Sequence, residues 1–343
     1  MKIFTDNIDP SVLSELYNIN KQNIYDHIRV MPDVHEGNSI VGFTAYIKDK
    51  LSPNVIGPDI GCGMLCVNLG KADINLELFD HRLRKVIPSG SDLVDKKDKY
   101  YQKENINFRK LNCYKDLIRI PELERSMGTL GGGNHFIELD KDEENNIYLI
   151  VHTGSRNLGK QVWSIYDKRG NYLSGDELSN YLEDCNFCNS WAKSNRMIIA
   201  RKLLDSMHIN NNLKDTFDCP HNFIEGNLIR KGAIKATGKV IIPMNMRDGC
   251  ILGEGLSNGD WNYSGPHGAG RLLSRNQAKK QITIEEYKKS MEGIYSTSSV
   301  TQNTIDESPM AYKPMEEIIA KIGDTIKIDK IIKPIYNYKN SKK

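Results

Sequence analysis

The sequence has no run of about 18 consecutive apolar residues, the least that a bilayer-spanning helix needs. Its opening, MKIFTDNIDPSVL, has none of the basic, apolar and small-residue sections of an export signal. A cytoplasmic location is therefore expected, with no membrane partner. Cysteine is scarce and odd in number, seven in 343 residues at irregular spacings, which argues against a disulfide framework and for reduced thiols free to bind metal. Neither sign of charge dominates: 47 basic and 44 acidic residues leave a net charge of +3. Net charge thus announces no nucleic-acid partner. Single basic residues such as Arg156, Lys160, Arg230, Lys231, Arg271 and Arg275 are, taken alone, ordinary solvated charges. P-loop spacing, a dinucleotide fingerprint, internal repeats and low-complexity linkers are all missing.

What is present is an ordinary folding composition, 39% hydrophobic and 27% charged, in a chain long enough for one large core. With no break in composition, one compact mixed α and β domain over residues 1–343 is the simplest reading, and the order of elements is not a clean β-α-β alternation. Asp9 and Pro10 ahead of Val12, Leu13 and Leu16 predict an N-capped helix. VMPDVHEG, SIVGFTAYI and NVIGPDIGCGMLCVNLG read as buried strands joined by tight turns. IYLIVHTGS, from Ile147 to Ser155, reads as a core strand that delivers His152 at its end. Ser174 to about Met207 has helical spacing, with room for one break. KVIIPMNM predicts a strand, TIEEYKKSMEGI a helix, and PMEEIIAKIG a helix with Pro314 near its first turn and Gly323 as its stop. TIKIDKIIKPIYNYK closes the chain with strand-like runs. Cys185 and Cys188 form a lone CxxC; with no second pair at zinc-finger distance, it reads as one face of a helix rather than half a metal site.

The chemistry concentrates in glycine-flanked turns. Four of the eight histidines, His135, His152, His221 and His267, sit beside glycine or asparagine in otherwise apolar surroundings. Asp59-Ile60-Gly61-Cys62-Gly63 offers a carboxylate and a thiol three residues apart. Thiolate, carboxylate and imidazoles together suit manganese, iron, cobalt or zinc better than magnesium or calcium, and one thiolate can bridge two ions. Gly131-Gly132-Gly133-Asn134-His135 could cradle phosphate on its backbone N–H groups. In Gly265-Pro266-His267-Gly268-Ala269-Gly270-Arg271, small neighbours leave an imidazole open to act as a nucleophile, with an arginine able to pair phosphate oxygens. Attack of that nitrogen on a nucleotide's α-phosphorus would give a phosphoramidate, a step that calls for metal to offset phosphate charge.

MPDVHEG (31–37), DIGCGM (59–64), GGGNHFIE (131–138), VHTGSRNLG (151–159), HNFIE (221–225), RKGA (230–233) and HGAGR (267–271) occur in the order found in RtcB ligases, which the chain resembles along nearly its whole length. DESPMAYK (306–313) and Lys339 continue the match. The resemblance implies the family's single α/β fold, with Asp59, Cys62, His135, His152 and His221 as ligands of two manganese ions and Cys62 bridging them. It implies His267 as the guanylylated histidine, Asp33 supporting its activation, and Arg271 beside it. Asn134, Glu138, Asn222 and the Gly268-Ala269-Gly270 turn would surround GTP, with Tyr312 and Lys339 on the guanine. The implied reaction runs through a histidine–GMP adduct, transfer of GMP to an RNA 3′-phosphate, and attack by a 5′-hydroxyl end, a 2′,3′-cyclic phosphate being opened first. RNA ends and GTP are then the partners, in tRNA splicing or RNA repair, and an accessory activating protein is a further expected partner. Two stretches depart from the pattern: IPMNMRDGCILGEG (242–255) replaces a serine-rich segment of the nucleotide pocket, and Pro266 stands where a cysteine commonly precedes the histidine. The competing functions are a metal-dependent phosphoesterase that opens cyclic phosphates without joining, and a non-catalytic RNA-binding relative.

Overall fold

Along the strand Gly63–Gly70, Leu65 and Val67 fall on one face and Met64 and Cys66 on the other, and all four are buried. Such a strand must lie inside a layered structure, because successive side chains point to opposite faces. The computed structural model describes residues 1–37, 39–100, 106–210 and 213–341. It sets this strand in a seven-stranded antiparallel sheet of order Thr237–Asn245, Gly249–Leu256, Ile326–Lys339, Phe136–Lys141, Ile147–Thr153, Gly63–Gly70, Thr216–Pro220.

The outer face of the sheet, with Leu65, Val67, Leu139, Leu149 and Val151, is covered by the helix Gly175–Ser206 through Ile199, Leu203 and Leu204. Phe79 and Leu83 of the helix Leu76–Val86 complete this layer. The inner face has Met64, Cys66 and Ile150 against Ile241, Ile251 and Ile318, the last from the helix Met315–Ile322. Each such aliphatic side chain removed from water contributes about 1.5–3 kcal/mol. Pairing aligns the inner face in rows: Met64, His152 and Phe136 lie side by side, and so do Cys66, Ile150, Glu138 and Asn337. Polar groups for chemistry are thereby lodged on a face that is otherwise core.

A five-stranded sheet, in the order Lys2–Ile3, Tyr25–His35, Val41–Ile47, Leu228–Lys231, Asn222–Glu225, forms the second layer. Val30, Phe43 and Ile229 on it share a core with Val12 and Leu16 of the helix Pro10–Lys21, with Leu158 and Val162 of the helix Arg156–Asp167, and with Cys188 and Trp191 of the long helix. The long helix therefore ties both sheets together.

Most expected elements are present. Asp9 caps its helix by accepting from Ser11 N at 2.7 Å. The strand Ile147–Thr153 ends one residue beyond His152. The Gly175–Ser206 helix runs 32 residues without the single break its sequence allows. Cys185 and Cys188 are buried among apolar neighbours on it, as a helix face should be. No described helix is long and apolar enough to cross a membrane.

Candidate active site

The turn after Pro58 brings Cys62 to the start of the strand Gly63–Gly70. Cys62 N donates to Asp59 O at 3.3 Å, Gly61 N to Asn222 O at 2.7 Å, and His221 N to Cys62 O at 2.8 Å. Gly61 is needed there: its φ is +77°, and a Cβ would lie 2.9 Å from Asn189 Cα. Cys62 Sγ then stands 3.3 Å from His152 Nε2 and 3.8 Å from His135 Nε2, while His152 Nε2 is 3.5 Å from His221 Nε2. Two overlapping donor groups result, Asp59–Cys62–His135 and Cys62–His152–His221, each with its ligand atoms within 4.8 Å of one another and Cys62 common to both.

Hydrogen bonds fix the ring tautomers. A carbonyl can only accept, so His135 Nδ1 donates to Leu130 O (3.0 Å) and His152 Nδ1 to Asn134 O (3.1 Å), leaving both Nε2 lone pairs bare toward the thiol. Burial, with Arg156 adding to it at His135 and His135 adding to it at His152, pulls both imidazoles down to about 3. Burial likewise holds His221 well below its ordinary value, helped by His267 and His152. Burial and the Asp59 charge push the Cys62 thiol well up. The bare Nε2 lone pairs of His135 and His152 face the Cys62 thiol, and His221 Nε2 stands 3.5 Å from that of His152. This donor set therefore fits a metal centre of the borderline kind.

The cluster is braced by two residues of the long helix that sequence reasoning passed over. Arg196, fully buried, pairs with Asp218 at 2.6 and 2.9 Å and donates to Gly61 O and Thr153 O at 2.8 and 2.7 Å. Asn195 accepts from Gly128 N and Thr129 N and donates to Thr129 O and Gly154 O. Inside a helical pattern nothing marks these two polar side chains as different from surface ones.

Beside the cluster lies His267, its ring centroid 4.9 Å from that of His221. Asp33, fully buried on the strand Tyr25–His35, turns one oxygen, Oδ2, to three donors: His267 Nδ1 at 2.6 Å, His267 N at 2.9 Å and Gly268 N at 3.1 Å. Nδ1 thus keeps the proton and Nε2 is left as a lone pair on a ring still 22% exposed. Gly270 has φ +75°, and a Cβ there would meet Asp33 O at 2.4 Å, which explains the small residues after His267. His35 stacks beside His267 at 6.2 Å, and burial brings it down to about 4.

Two connected hollows open on this histidine. A wide cleft of about 960 Å³ runs past His35, Asp59, Asn134, His221, Lys231 and Arg275. A narrow cavity of about 150 Å³ is walled by Phe136, Glu138, Gly268–Arg271, Tyr312 and Lys339. Pro243, Met244, Asn245 and Met246 of the divergent segment also line it. At its end Glu307, which sequence reasoning did not single out within DESPMAYK, accepts from Lys339 and Tyr312 at 2.8 Å each and pairs with Arg275 at 2.5 Å. Burial would push Glu307 up, but Lys339, Arg275 and Arg271 outweigh it and hold the carboxyl well below the usual range.

Asn134 borders both hollows. Asn222 borders only the cleft, with its side chain committed to Gly232 N and Asp59 O. Arg271 directs its guanidinium into the protein, to Leu273 O, Asp306 O, Glu307 and Tyr312. Pro266, which lacks an N–H, sits at the end of a three-residue ladder opposite Ala233.

A model of the RtcB family, described as tRNA-splicing ligase RtcB, matches residues 15–340. RNA-splicing ligase RtcB1 of Escherichia coli strain ATCC 25922 is 28% identical, with 89% of this chain and 88% of that protein covered. RNA-splicing ligase RtcB of Escherichia coli strain K12 is 27% identical over the same shares, and tRNA-splicing ligase RtcB of Aeropyrum pernix is 26% identical over 91% and 87%. The family match spans most of the chain, which therefore belongs to the RtcB ligase family.

Proposed function

We propose that this protein is a GTP-dependent RNA ligase that joins 3′-phosphate or 2′,3′-cyclic phosphate ends to 5′-hydroxyl ends through GMP carried on His267. The observation that carries the reading is the Asp33–His267 pair, an oriented imidazole nucleophile set against a thiol–imidazole donor cluster. Asp59, Cys62, His135, His152 and His221 would hold two divalent ions, manganese being the family expectation, with the Cys62 thiolate shared. When bound, such ions neutralise phosphate charge and polarise the attacked phosphorus.

His267 Nε2 attacks the α-phosphorus of GTP, the P–O bond to the departing pyrophosphate breaks, and Asp33 steadies the positive charge that grows on the ring. An oxygen of the RNA 3′-phosphate next attacks the same phosphorus, and the P–N bond breaks with its electron pair returning to Nε2. The 5′-hydroxyl of the second end then attacks the 3′-phosphorus, gives up its proton, and expels GMP. A cyclic end is first opened by water. Lys231, Lys313 and Arg275 line the cleft that would receive the RNA. In the narrow cavity Glu138 offers acceptors and Lys339 a donor between Phe136 and Tyr312, a set that matches the N–H and C=O edge groups of guanine.

The test is a joining assay with one RNA ending in a 3′-phosphate and another starting with a 5′-hydroxyl, plus GTP and manganese. Joined product is expected from the wild type and none from His267→Ala. Opening of a cyclic phosphate that survives in His267→Ala, with no joining by either protein, would favour the phosphoesterase reading.

A further inference from the structure

Away from the Cys62 cluster, the inner face of the sheet buries a second set of ligand-type groups. Glu138 and Asp140 lie two residues apart on Phe136–Lys141 and so share a face; Cys250 comes from the strand Gly249–Leu256, on the far side of Ile326–Lys339. One donor atom from each lies within 4.8 Å of the others. All three side chains are at most 2% exposed.

Both carboxylate oxygens of Asp140 are buried without a hydrogen bond of ordinary geometry, the Cys250 thiol being the one polar side chain that leans toward them. Asn337, which donates through Nδ2 to Glu138, has its buried Oδ1 equally without a partner. Among the described residues no lysine or arginine forms an ion pair with Glu138 or Asp140. Two carboxyl groups side by side in a core, one with both oxygens outside good hydrogen-bond geometry, are costly to bury as charges unless a cation or a proton offsets them.

We propose that Glu138, Asp140 and Cys250 form a cation site separate from the Cys62 cluster, taking one divalent ion of the manganese-to-zinc class. The donor chemistry selects the class: two carboxylates alone suit any hard divalent cation, whereas a thiol in the set moves the preference to borderline transition ions. Cys250 belongs to the divergent 242–255 segment, where it is paired with Pro243 of the cavity wall. Glu138 faces that same cavity. The ion therefore fixes Glu138 from behind and makes it a rigid acceptor for whatever occupies the cavity. This assignment does not depend on the ligase reading.

The test is metal content by inductively coupled plasma mass spectrometry on the full chain, equilibrated with zinc alone or manganese alone and then desalted. Asp140→Asn and Cys250→Ser should each hold one ion fewer per chain than the wild type, and Cys62→Ala should keep that ion. Equal metal content in the wild type and both variants would overturn the proposal. Infrared spectroscopy of the metal-loaded wild type guards against a variant that fails to fold: no carbonyl stretch of a buried protonated acid is expected, and its presence would mean that a proton neutralises the pair. If the Cys62 cluster bound nothing, the one-ion difference at Asp140 would still be readable, so the two claims fail separately.

Discussion

Replacing Asp33 probes the link between geometry and nucleophile most sharply, because alanine and asparagine there should behave differently. Asp33→Ala leaves three donors, His267 Nδ1, His267 N and Gly268 N, without the single oxygen that now receives them. It also frees the ring to carry its proton on Nε2, the attacking atom. The lost charge-assisted bond to Nδ1 is worth about 1.5–3 kcal/mol, or roughly 10- to 150-fold in rate. The lost tautomer control takes the loss further, toward the roughly 10⁴-fold that a wrongly placed imidazole proton costs a serine-protease triad. Asp33→Asn is milder. Its amide oxygen can take the place of Oδ2, and its NH₂ the place of Oδ1, which now has no partner; only the charge is lost, and roughly tenfold is expected since charge-assisted bonds are about twice as strong as neutral ones. Single-turnover labelling with α-labelled GTP and manganese measures both rates. Metal content should stay at the wild-type level, because Asp33 is not among the grouped donor residues. Alanine labelled within tenfold of wild type, or asparagine slower than alanine, would refute the reasoning.

Other perturbations separate the parts of the site. Arg196→Met removes the guanidinium that joins the Gly61 and Thr153 carbonyls and leaves Asp218 buried without its partner; a loss of about 3–5 kcal/mol in urea unfolding is expected, along with weaker metal retention. Gly61→Ala meets backbone at 2.9 Å with φ +77°, so about 1–3 kcal/mol of strain should appear as a lower melting temperature. The metal-free protein should lose stability as pH falls from about 6.5 toward about 3, because His135 and His152 take up protons only when unfolded in that window. The expected slope is about 1.4 kcal/mol per pH unit per histidine, and His152→Gln should flatten it by one histidine's worth in urea titrations at stepped pH. Lys339→Met removes one cation from Glu307, which keeps Arg275 and Tyr312; GTP binding by calorimetry should weaken by at least tenfold, at a stability cost of about 1–3 kcal/mol.

Much of this site was legible because its chemistry rests on glycine-rich turns, where residue type and backbone freedom are both constrained. Asp59, Cys62, His135, His152 and His221 come from four separate sequence segments and meet within a few ångströms, and the ordered motifs anticipated that meeting. The alternation in GMLCVNLG and IYLIVHTGS likewise marked the central strands. What stayed hidden depends on pairing across the chain. Glu307 becomes the hub of the narrow cavity only when Lys339, 32 residues later, crosses to it. Asn195 and Arg196 look like any polar pair on a helix until the sheet's carbonyls face them. Glu138, Asp140 and Cys250 converge through sheet order, which no local pattern reveals. The unbroken length of Gly175–Ser206 is also a tertiary effect, since one helix packs against both cores.

That His267 is a nucleophile that carries GMP can be read from the mass of the protein after incubation with GTP and manganese. One added GMP per chain is expected, mapped to the peptide containing His267, acid-labile as a phosphoramidate is, and absent from His267→Ala. A protein that holds its metal ions and still acquires no GMP, or acquires it on another residue, would contradict it.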